Sequence, residues 1–143
     1  MSKEIIVLPV ILLAFLTVVV WVRMFIVRMS AMKSVRIHPE EMKSQKAKEL
    51  LPEEANIPAE NFINLFEVPV LFYVLTTFLY ISDSVSLFYM ITAFTYVALR
   101  YVHSFIALTY NKVMHRFLAY FLSCLVLWIM WGKFAYHAVV GLS

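Results

Sequence analysis

An all-α integral membrane protein, folded as a four-helix bundle, is the class this chain predicts, and three observations carry that prediction. Of its 143 residues 63% are hydrophobic and 15% charged, with a mean hydropathy of +0.83, outside the range of ordinary water-soluble domains. Apolar runs fall at about residues 5–27, 62–82, 85–109 and 117–140, each near the roughly 20 residues that a helix needs to cross a ~30 Å hydrocarbon layer. Only the segment 28–61 between these runs is sizeable, which leaves a single domain over 1–143 without a repeat or low-complexity tract.

The first run continues through Trp21 to Val27 with no small-residue cleavage pattern before Arg28, so it reads as a retained span rather than a signal peptide. In the loop 28–61, HPEEMKSQKAKELLP places a proline and acids first and lysines later, which predicts a short surface helix over about 39–50 that stops at Pro52. EEANIPAEN then leads into the second span, with Pro58 suited to a helix start. Pro69 cannot donate to the carbonyl of Leu65, and a kink is expected just beyond Glu67, opening space beside that carboxylate. ISDSVS, residues 81–86, is long enough only for a tight connection between antiparallel helices. The third and fourth runs are joined through 110–116.

The formal charge is +3 and the pI near 9.0, yet the basic residues flank helices and form no stripe with interleaved aromatics, which argues against a nucleic-acid partner. They serve orientation instead. Arg28, Lys33, Arg36, Lys43, Lys46, Lys48, Lys112 and Arg116 fall on one side of the bilayer, against Lys3 and Lys133 on the other. The bias places loops 28–61 and 110–116 in the cytoplasm and both termini outside. The compact form without targeting tails would suit a bacterial inner membrane. A lone Cys124, inside the fourth run, makes no intramolecular disulfide and reads as an inert apolar filler.

A charge at the bilayer centre costs about 2.5–3.5 kcal/mol on insertion scales, so each needs a partner or an exit. Lys133, near the end of the fourth span, is expected to snorkel. Glu67, Arg100 and His103 are different, for at ~1.5 Å per residue all three lie roughly 9–15 Å from the same cytoplasmic end. Asn61, Asn64 and Glu67 recur every three residues, and Tyr96, Arg100, His103 and Ala107 follow spacings of four, three and four. Each set makes one helical stripe, and the two stripes can face each other or a shared cavity. Arg116, at the mouth of the fourth span, can reach the same region. One reading is a buried Glu67–Arg100 ion pair completed by Asn64 and His103, which specifies helix packing; the other is a binding site. Spacing does not separate them. His38, His115 and His137 lie elsewhere, no His, Cys and carboxylate spacing resembles a metal site, and two glycines supply no phosphate-cradling loop. A nucleophile elbow is absent too.

These residues resemble a known family, the membrane-associated proteins in eicosanoid and glutathione metabolism (MAPEG). The resemblance covers most of the chain. It rests on N-x-x-E at the start of the second span, Asn64 and Glu67 in NLFEVP; on R-x-x-H late in the third, Arg100 and His103 in RYVH; and on Arg116 in VMHRF. It implies a homotrimer of four-helix subunits that binds glutathione between neighbours. Glu67 would accept from the ligand's amino group, Asn64 would bond its backbone, Arg100 would hold a carboxylate with His103 beside it, and Arg116 would stabilise the thiolate. A lipid-facing cleft would admit a lipophilic small molecule as second substrate.

The chain also departs from the family pattern. Glu60 stands where members commonly have arginine, Ile63 where some have another, Ala107 where a tyrosine is common, and Phe117 where one branch has serine. Tyr101 and Tyr110 lie nearby in other registers. Three functions follow: a glutathione- or thiol-dependent transferase or peroxidase acting on lipophilic electrophiles; a non-catalytic membrane protein binding a lipid or protein partner through the same cleft; and, weakest for want of an internal repeat, a proton relay or transporter.

Overall fold

The structure is a computed structural model that describes residues 3–38, 40–41 and 49–141. Among the described residues, a 3₁₀ turn at Lys3–Ile6 is followed by the helices α1 Val7–Val35, α2 Glu53–Asn64, α3 Val68–Ile81, α4 Leu87–Leu108 and α5 Val113–Val140. With α2 and α3 in tandem they make four helices long and apolar enough to cross a membrane, as the four apolar runs predict. One end of the bundle, the loop end, carries the residues after α1 and the 109–112 connection. The other, the terminal end, carries the turn at 82–86.

The helix ends differ from expectation in a consistent way. α1 runs on to Val35 instead of ending at 27, and α2 starts at Glu53 instead of 62, so the loop 28–61 shrinks to 36–52. Charges mislead here: the continuation of α1 is amphipathic, and its Met32 joins Ile37, Leu51 and Ala55 in a small second core backed by Val27 and Ala31. α1 closes at Arg36, in the left-handed region at φ 56, where Ile37 donates to the Met32 carbonyl at 3.1 Å. Pro58 lies inside α2 and Pro52 is its N-cap. The surface helix expected over 39–50 lies largely outside the described residues. The 82–86 turn is as short as predicted.

The main core is made by helical stripes turned inward: Leu13, Leu16 and Val20 of α1; Phe72, Leu75 and Leu79 of α3; Met90, Ala93, Tyr96 and Val97 of α4; Leu127 and Met130 of α5. α4 packs most extensively on α5, and α1 on α2. Phe15, Trp21 and Phe25 of α1 and Phe117, Phe121 and Trp128 of α5 face outward, as a bilayer requires. Hydroxyls in the spans are satisfied by their own helices: Thr76 donates to the Phe72 carbonyl at 2.9 Å and Thr92 to that of Phe88 at 2.8 Å. Bonds between helices include Tyr101 donating to the Leu12 carbonyl at 2.7 Å and Trp131 donating to that of Leu71 at 3.3 Å.

Candidate functional site

The second span does not merely kink at Pro69. α2 ends at Asn64, the chain turns through Leu65–Glu67, and α3 begins at Val68 with Pro69 in its first turn. Proline suits a first turn, where its missing N–H has no partner to lose. Glu67 is the N-cap of α3 with φ −88 and ψ −100. The helical repeat that should have set Glu67 on the stripe of Asn61 and Asn64 is interrupted one turn too soon.

The consequence is a partition of the predicted residues. Asn61 meets α4 through its side chain, the Ser104 hydroxyl donating to Asn61 Oδ1 at 3.2 Å, and Asn64 through its backbone, Arg100 Nη2 donating to its main-chain carbonyl at 2.9 Å. Arg100 is wholly buried, whereas Glu67 is exposed on the single chain. No ion pair joins them, so the Glu67–Arg100 bridge that the stripes offered does not form within the chain. The arginine takes a helix-end carbonyl freed by the break, supplemented by the face of Tyr120 at 5.5 Å.

His103 Nδ1 lies 3.0 Å from the main-chain carbonyl of Arg116. A carbonyl only accepts, so Nδ1 carries the proton and Nε2 is left as an acceptor. The imidazole and the Arg100 guanidinium flank the same ring, His103 at 5.8 Å from Tyr120. Arg116 thus meets the cluster through its backbone. Its guanidinium turns to the 109–112 connection, where Nη1 donates to Asn111 Oδ1 at 2.9 Å. Asn111, at φ 44, occupies the left-handed conformation that asparagine tolerates best after glycine.

Around Arg100 several buried polar atoms have no protein partner: Arg100 Nε and Nη1, His103 Nε2, Tyr96 OH and Asn61 Nδ2. Most polar groups buried in a protein are paired, and inside a bilayer the cost of leaving one unpaired is larger still. Chemically the set offers guanidinium and amide N–H donors beside one imidazole acceptor, a match for a ligand carrying carboxylate and amide groups. Glutathione has both, so the residues present fit it.

A recess of about 690 Å³ lies at the loop end, between α1, α2 and the end of α4, and no residue of the Arg100 cluster lines it. Arg23, Ser30, Glu54, Pro58, Ala107 and Asn111 are among its lining residues. The polar positions singled out in the sequence omit Arg23, although a charge inside the first apolar run was a signal of the kind that marked Arg100. Tyr120 and Asn111 are also missing from that selection. Tyr120 was within reach, four residues after Arg116, but Asn111 acts through a backbone conformation that spacing does not disclose. Tyr101 is engaged by α1, and the hydroxyl of Tyr110 lies 3.1 Å from His115 Nδ1 on the exposed end. Ala107, where the family commonly has a tyrosine, is buried. Glu60 and Ile63 are exposed. Among the described residues no three His, Cys, Asp or Glu side chains converge.

The model of the MAPEG family matches residues 6–136 of the chain. No curated protein and no solved structure matches it.

Proposed function

The chain belongs to the MAPEG family, and on that premise we propose that it is a glutathione- or thiol-dependent transferase or peroxidase acting on lipophilic electrophiles, assembled as a homotrimer. One observation carries the reading. The donors of Arg100 and Asn61 are turned inward and left partly unused, while Glu67, one helix break away, points off the subunit with no partner among the described residues. A ligand held between neighbouring subunits would meet Glu67 directly with its amine, and its carboxylate would meet Arg100 once the side chains that cover the buried guanidinium move aside. Asn64 would bond the ligand backbone, and His103 Nε2 would accept from an amide N–H.

Arg116 would act on the thiol. A free thiol with pKa near 8.5 is only a few per cent ionised at neutral pH, and an adjacent guanidinium favours the thiolate. The thiolate then forms the new carbon–sulfur bond as the leaving group departs from the electrophile. For a substrate entering from lipid, the loop-end recess offers Ile26, Val27, Ala107 and Leu108 among its lining residues. We place loops 36–52 and 109–112 in the cytoplasm of a bacterial inner membrane, with both termini outside, on the Lys/Arg bias.

A second reading, a non-catalytic protein that binds a lipid or a protein partner, is favoured by one fact. The two arginines already have work within the subunit, Arg100 on the Asn64 carbonyl and Arg116 on Asn111. Calorimetric titration of the detergent-purified protein with reduced glutathione separates the two. Saturable binding that is lost in folded Glu67→Gln and Arg100→Ala oligomers supports the enzyme; silence at millimolar ligand leaves the second reading.

A further inference from the structure

At the terminal end, about 16 Å along α4 from Arg100 at ~1.5 Å per residue between it and Tyr89, the chain forms a second recess of about 430 Å³. Its walls include Ser82, Ser84 and Ser86 of the tight turn, Tyr89 of α4, and Lys133 and His137 of α5. Neither the cluster around Arg100 nor the motifs that mark the family reach it.

Four features of this recess point to one ligand chemistry. Lys133 does not extend freely along its stem to solvent, as its position near a span end predicts. Its Nζ sits 3.9 Å from the Phe88 ring centroid and 5.3 Å from that of Tyr89, held by aromatic faces over the first turn of α4. Ser86 is the N-cap of that helix, yet its side chain makes no capping bond, and its Oγ is buried without a partner. The first-turn amides of a 22-residue helix add their own partial positive charge. Finally, Asp83, the carboxylate of the turn, pairs with Lys3 at 3.6 Å, and among the described residues no carboxylate forms an ion pair with Lys133.

An ammonium, an unspent hydroxyl and a helix N-terminus around one space are the groups that recognise a phosphate. The recess lies at a span end, and beside it Leu87, Tyr136 and Val140 are exposed apolar surface. We propose that this recess binds the phosphate of a phospholipid headgroup, with the acyl chains lying against α4 and α5. Lys133 supplies the charge, Ser86 donates through its hydroxyl, and His137 borders the outer side.

The test is native mass spectrometry and thermal shift on the full detergent-purified protein. It is titrated with a dioleoyl phosphatidylglycerol, with the matching diacylglycerol, and with inorganic phosphate. Saturable binding of the phospholipid is expected, weakened about tenfold in Lys133→Gln, the worth of one charge-assisted hydrogen bond, and kept in Lys133→Arg. Ser86→Ala is the second variant, because a hydroxyl without a partner can be removed with no loss of packing or bonding. It should bind less tightly at unchanged melting temperature. Competition by inorganic phosphate at the same variants upholds the phosphate site and names the free ion as a second source. Equal binding of diacylglycerol, or phospholipid binding unchanged in both Lys133→Gln and Ser86→Ala, overturns the proposal.

Discussion

Arg100, wholly buried in α4, donates from Nη2 to the main-chain carbonyl of Asn64 at 2.9 Å, one residue before the second span loses its helix. The contact turns a cost into a fit, because a helix end inside a bilayer frees carbonyls that no water reaches, and an arginine there needs acceptors.

Replacing Arg100 by alanine removes a charge-assisted bond and strands the Asn64 carbonyl. A loss of about 2–4 kcal/mol of stability is expected, with Arg100→Lys restoring part of it. Thermal unfolding in detergent, followed by circular dichroism, reads this directly. An Arg100→Ala protein as stable as the parent would mean that the break is satisfied in some other way.

Glu67→Gln should leave the stability of the subunit within about 0.5 kcal/mol, since the carboxylate is exposed and makes no ion pair there. Glutathione affinity should fall about tenfold or more, through loss of one charge-assisted bond to the ligand amine. Calorimetry beside size-exclusion chromatography checks both halves. A variant that loses its oligomer without changing turnover would favour the non-catalytic reading.

Tyr101→Phe tests the tyrosine that lies nearest to the expected register. Its hydroxyl is committed to the Leu12 carbonyl at 2.7 Å, so the substitution should cost about 1 kcal/mol and leave thiol-transfer rates unchanged. A selective fall in turnover would return Tyr101 to the chemistry.

Asn111→Gly keeps the left-handed backbone at φ 44 but removes the amide that holds the Arg116 guanidinium. If Arg116 favours the thiolate as proposed, loosening it lets the bound thiol's pKa rise. Turnover at neutral pH should fall several-fold, by analogy with other displaced electrostatic groups, and recover as the pH is raised. A pH–rate profile superimposable on the parent's would show that Asn111 has no positioning role.

Much of this arrangement could be read before any coordinate was known, and the failures have physical causes. Asn61 of the first stripe does meet α4, and Arg100 of the second reaches the backbone carbonyl of Asn64, because helical periodicity holds up to that residue; His103 turns to α5 instead. It stops holding at Leu65, and Glu67 therefore escapes the stripe it was counted on. Proline signals a disturbance at that point, but a kink and a full break differ only in tertiary partners, here Arg100. Segments 28–35 and 53–61 look like loop by charge and are helix by packing, since their apolar sides meet around Met32 and Ala55. Whether Arg116 points at a ligand depends on a loop asparagine 5 residues earlier, which no spacing rule marks.

The arginine bonded to the broken helix also bears on how the chain enters the bilayer during synthesis. Its span, α4, is the least apolar of the four and carries a guanidinium that costs about 2.5–3.5 kcal/mol to bring in alone. The acceptor that offsets this lies in the preceding span, joined to it by the short 82–86 turn. The second and third spans are therefore best laterally released as one hairpin, with the Asn64 carbonyl already exposed when Arg100 arrives. Straightening the 65–67 break would then be felt first as a poor yield of membrane-integrated protein, before any folded molecule exists to be destabilised.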